Sequence, residues 1–126
     1  MTKYFILLSI VLFLRCSDFA YEQKIVGNYY LIGVDTKTDI SISLKLKSGD
    51  FIGRIERVKQ YTVVNDSLIF ARSLDTANKS VYYILNMNKD FDVAKIENII
   101  IGPIDSETFN NYWAKKFKIK FISISD

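Results

Sequence analysis

Asn88, Asp90 and Asp92 put three oxygen-bearing side chains at alternate positions, the spacing with which a loop can hold calcium. An EF-hand loop beginning at Asn88 would need glycine at its sixth place and glutamate at its twelfth. Those places hold Val93 and Ile99, so the segment reads instead as a hairpin turn with solvated polar groups. Asp35 and Asp39 flank another polar turn and take the same reading. The 14 acidic residues include enough carboxylates for an acid/base pair, but no nucleophile–base motif accompanies them. Histidine is absent and Cys16 is the only cysteine. That removes the commonest general base, the commonest nitrogen ligand and any internal disulfide. These residues point to no enzyme, no metal and no cofactor.

Contact chemistry is better represented. Tyr29-Tyr30 and Tyr82-Tyr83 lie in strand-like stretches, where successive side chains point to opposite faces. One ring of each pair is expected in the core and the other, Tyr30 or Tyr83, outward as an interface anchor; β-propensity alone also accounts for such pairs. Lys115, Lys116, Lys118 and Lys120 form the one basic cluster. It reads as a helix end followed by the wet face of a last strand, with Lys118 and Lys120 as candidate contacts to an acidic partner or to anionic headgroups.

The start of the chain carries an address. Lys3 leads into an apolar run from Tyr4 to Leu14, interrupted only by Ser9 and ended by Arg15-Cys16. This is the layout of a secretory signal, and it is shorter than the ~20 residues that span a bilayer. Cys16 resembles the lipid-attachment cysteine of bacterial lipoproteins, although Arg15 stands where a small residue is usual. The organisation read from this is residues 1–15 as signal peptide, 16–24 as a polar tether and 25–126 as a single β-rich domain. Two of the 17 basic residues lie within that signal and no acid does, which leaves 15 bases facing 14 acids. A nearly neutral domain is a poor partner for nucleic acid, which is bound through clustered Lys and Arg.

The elements that must position the contact residues are mostly strands. Ile25 to Val34 is β-branched and aromatic, punctuated by Gly27 and Gly33. Ile40, Ile42, Leu44 and Leu46 alternate with Ser41, Ser43, Lys45 and Lys47, which predicts a strand with one wet face. Further strands are expected at 51–58, 61–64, 68–71, 81–85 and 93–101, the last stopped by Gly102-Pro103. Asp105 or Ser106 can cap a helix whose apolar stripe is Phe109, Tyr112, Trp113 and Phe117. A final strand is expected over 117–124. The fold class is thus mainly β: an antiparallel curled sheet or small sandwich with one C-terminal helix packed on it, preceded by a signal helix.

Cys16-Ser17-Asp18, Gly27-Asn-Tyr29-Tyr-Leu31, Val63-Val-Asn-Asp-Ser-Leu-Ile69, Tyr82-Tyr-Ile-Leu85 and Ile101-Gly102-Pro103-Ile104 occur in that order. The succession resembles a family of small bacterial lipoproteins of unassigned function. The resemblance implies an exported domain of the cell envelope, held to a membrane through a lipid on Cys16. It brings no catalytic residues. The functional expectation is a non-enzymatic protein-binding module, in a specific version an immunity or inhibitor protein. The alternative is a small-ligand carrier with an apolar pocket inside the sheet.

Overall fold

The computed structural model describes residues 20–34, 39–90 and 95–124. The signal run, Cys16, Asp35 and Asp92 lie outside the described residues.

Among the described residues, nine strands form two antiparallel sheets. The first is a meander of β1 (Tyr21–Val26), β2 (Tyr29–Gly33), β3 (Ile40–Lys45) and β4 (Phe51–Ile55). The second holds β5 (Val58–Val64), β6 (Leu68–Leu74), β7 (Ser80–Asn86), β8 (Ile100–Asp105) and β9 (Ile122–Ser123), ordered β8-β7-β6-β5-β9. A 3-10 turn, Met87–Lys89, and a short helix α1, Ile96–Ile99, lie between β7 and β8. A second helix, α2, covers residues 106–117. The mainly β class with one packed C-terminal helix is therefore the observed one.

The layers follow from side-chain parity. Leu31, Ile40, Ile42 and Ile55 of the first sheet meet Tyr61, Ile69, Ala71 and Leu85 of the second in one core. The other face of the second sheet presents Phe70, Tyr82, Ile84 and Ile104 to α2. The sheet between β8 and β9 is thus covered on both faces, and Leu68 to Ala71 reads as a continuous apolar run because neither face of β6 is wet. Full burial of one such aliphatic or aromatic side chain contributes about 1.5–3 kcal/mol.

Several boundaries differ from the sequence reading. The stretch from Ile25 to Val34 is a hairpin, because Gly27 adopts φ +55° and turns the chain at Gly27-Asn28. The expected tether, 16–24, ends inside β1: Tyr21 to Lys24 pair with Tyr30 to Gly33, since backbone bonding needs no apolar period. Pro103 stands within β8 rather than ending a strand. Edge position makes this possible, because proline lacks the donor of an inner strand, and the pairing is interrupted there between Tyr82 and Ile84. Gly102 adopts φ +142°, and a Cβ on it would meet Tyr83 Cδ1 at 2.5 Å. Residues 96–99 are helical where a strand is expected.

Asp105 caps α2 as expected, accepting from the Thr108 amide at 2.8 Å and from its hydroxyl at 2.9 Å. These hydrogen bonds hold its carboxyl below the usual range. The stripe is Phe109, Trp113 and Phe117, while Tyr112 is exposed. The middle turn, Phe109–Trp113, is a π-helix in which the Ala114 amide reaches back to the Phe109 carbonyl. That wider turn aligns residues four apart and swings Tyr112 outward. The final strand is short for a related reason: Phe117 belongs to the helix, and Lys118 caps it in the left-handed conformation. Only Ile122–Ser123 then pairs with β5.

Candidate functional site

Alternation along β2, β3 and β4 sends Tyr30 and Ile32, Ser41, Ser43 and Lys45, and Phe51 to the outer face of the first sheet. Register sets Tyr30 against Ser43 and Lys45 against Phe51. The Tyr30 and Phe51 rings meet edge to face, centroids 5.3 Å apart. Lys45 Nζ lies 5.6 Å from the Tyr30 centroid and 5.8 Å from that of Phe51, a cation–π arrangement. Beside this cluster is an open trough of about 580 Å³ whose lining includes Ile32, Val34, Ser41, Ser43 and Glu56. The Ser41 and Ser43 hydroxyls bond each other at 2.8 Å. With no histidine in the chain, this serine pair has no Ser–His partner to activate it. The surface offers area, hydroxyls and a cation: recognition chemistry.

What holds these strands in place lies on their other side. Between Gly53 and Ile55 the β3–β4 register slips, and Arg54 is the extra residue. A bulge re-aims a side chain, and here it turns Arg54 inward. Its guanidinium grips Asp90 with both prongs, Nη2 to Oδ1 at 2.7 Å and Nε to Oδ2 at 3.1 Å. The side chains are 4% and 0% exposed. Asp90 Oδ2 also accepts from the Tyr29 hydroxyl at 2.7 Å. One carboxylate thus ties β2, β4 and the segment after β7 together, and it fixes the strands that carry Tyr30 and Phe51 outside. The expectation of a solvated Asp90 is corrected: it neutralises a buried arginine, and buried charges persist only when paired and hydrogen-bonded.

Burial, foremost, and then the hydrogen bond and negative charge of Asp90 push the Tyr29 phenol well above its ordinary value, against a smaller opposing pull from Arg54. A folded-state value above the unfolded one gives stability that is complete below the unfolded pKa and fades as pH rises above it. Alkaline titration should therefore weaken the fold once pH passes about 10. Tyr29→Phe should flatten that loss in chemical denaturation series from neutral to alkaline pH. It should not abolish it, because Tyr61 is also raised by burial.

The residues singled out from sequence separate into different places. Tyr30 is half-buried on the outer face, with the trough. Tyr83 is half-buried against the inter-sheet core, not outward, because its sheet has no uncovered face there. Lys118 and Lys120 are exposed at and after the end of α2, on the opposite outer layer. Cys16 lies outside the described residues. Arg54, Lys45 and the Ser41–Ser43 pair are additions. The Gly53-Arg54-Ile55 break in alternation was the available sign for Arg54. Among the described residues no three His, Cys, Asp or Glu side chains gather to hold a metal ion, and no helix is long and apolar enough to cross a membrane. Comparison with protein-family models, with curated proteins and with solved structures finds no match.

Proposed function

We propose that this chain is an exported, lipid-anchored domain of the cell envelope that binds another protein and catalyses nothing. Its specific form is an immunity or inhibitor protein that blocks a toxin or hydrolase. The observation that carries the reading is the outer face of β2–β4, where Tyr30, Lys45 and the serine-lined trough stand on a sheet whose other face is core. Tyrosine is enriched among the residues that dominate binding energy. Leu31, Ile42, Ile69 and Leu85, each at most 1% exposed, fill the space between the sheets that an internal ligand would need, which favours the module over the carrier. The anchoring rests on the signal-like start and Cys16.

The test is capture of the tagged full chain and its crosslinked partners from envelope fractions. Tyr30→Ala should weaken partner retention at least about tenfold while melting within a few degrees of the parent. Cys16→Ser should weaken attachment to membranes and reduce the yield of the same partner. A chain that captures no protein in any form, and copurifies with a small molecule by native mass spectrometry, would sink the binding-module reading.

A further inference from the structure

Packing of α2 on its sheet leaves one feature unused. Lys115 and Lys116 lie in its last turn, Lys118 is its cap and Lys120 follows, and all four are exposed. From residue 108 to residue 125 the sequence contains no acid. Glu107, the nearest upstream, is in the first turn, about 14 Å along the axis from Lys116. Two apolar side chains flank the lysines, Tyr112 at 52% and Ile122 at 54% exposure. Lys116 Nζ sits 5.4 Å from the Tyr112 ring centroid and donates to its hydroxyl at 3.4 Å. Aromatic bodies with polar tips, and lysines whose stems lie along apolar surface, suit the zone between water and acyl chains.

The position of β1 is a second observation. Tyr61, in the core between the sheets, is paired with Ile122. Tyr21 and Ile124 pack on the same core. The first strand and the segment that leaves the lysines thus reach the same core. Cys16 is five residues before Tyr21, at most about 18 Å of chain.

We infer that Lys115, Lys116, Lys118 and Lys120, with Tyr112 and Ile122, are a second membrane contact that docks the domain on anionic lipid headgroups. The inference deepens the anchored reading and supplies its orientation. With α2 toward the membrane, the Tyr30 face is the far side of the stack, two sheets away, and looks outward to a partner. An anionic leaflet attracts each nearby lysine by about a fivefold gain in partition, and the attraction weakens as salt screens it.

The experiment uses residues 16–126, the chain left once the signal is removed, with Cys16→Ser, so that neither a lipid nor the apolar run contributes, and sediments it with vesicles. One set is phosphatidylcholine alone and the other contains phosphatidylglycerol. The mixed vesicles should bind at least about a hundredfold more tightly at low salt, with the advantage shrinking as salt is raised. Replacing all four lysines by Gln should remove that advantage, and replacing them by Arg should keep it, because only the charge is read. Equal binding to both vesicle types overturns the inference. So does a Gln variant that binds vesicles as the parent does but loses an acidic protein partner. Neither result touches the Tyr30 test, which reads protein capture and needs no vesicles.

Discussion

Asp90→Ala should destabilise the domain by about 3–5 kcal/mol, the cost of leaving one member of a buried ion pair without its partner. The Arg54 guanidinium, 4% exposed, would lose the carboxylate that takes both its prongs, and the Tyr29 hydroxyl would lose its acceptor. For a domain of this size a loss of that order lowers Tm by at least about 12 °C. Removing both charges should be milder. Arg54→Met combined with Asp90→Leu should recover part of the lost stability, because an apolar pair of similar volume avoids stranding a charge. The comparison by thermal melting separates a structural tie from an incidental pair: a single variant within about 1 kcal/mol of the parent would contradict the account of Asp90. The single variant bears on function as well. If the tie positions the outer strands, partner retention should fall in Asp90→Ala even at temperatures where the variant is folded.

Phe109→Ala is the second large effect, expected at about 3–5 kcal/mol. Phe109 is fully buried and stacks on Tyr82, centroids 4.1 Å apart and planes 6° from parallel. Phe70 and Phe121 close around it at 6.1 and 5.8 Å. Phe70 and Tyr82 belong to strands β6 and β7, which limits how far they can relax into the hole. Urea titration with fluorescence of Trp113, which packs in the same cluster, would report the loss. A midpoint close to that of the parent would mean that α2 contributes little to the fold.

The fold class was legible because β3 alternates cleanly and the residues around Asp105 and Glu107 carry the chemistry of a helix start. The errors have physical causes. Gly27 divides a stretch that is uniformly β-prone, and propensity does not register a change of direction. Pro103 reads as a stop in an inner strand, but edge position leaves it in β8. Tyr112 fits a 3.6-residue stripe, and the π turn moves it out of line. Tyr83 was expected outward because a lone sheet has a wet face, whereas this sheet lies between another sheet and a helix. Asp90 was hardest to read. A carboxylate among Asn88, Lys89 and Asp92 looks like a solvated turn, and its partner Arg54 is far away in sequence and reaches it only through a bulge. Of the proposed contact surface, Tyr30 was visible from the paired tyrosines. Lys45 and the serine trough depend on register, which the sequence did not state.

The most direct test of the binding surface places a photoreactive amino acid at Val34, 58% exposed on the rim of the trough. The same group at Asn110, exposed on α2, is the comparison. Both full-length proteins are irradiated in intact cells and recovered by their tags. A single protein adduct from the Val34 position, absent from the Asn110 position and lost with Tyr30→Ala, is the result the account predicts. An adduct formed only from Asn110, or none from either position, would contradict the claim that the outer face of β2–β4 is where this protein acts.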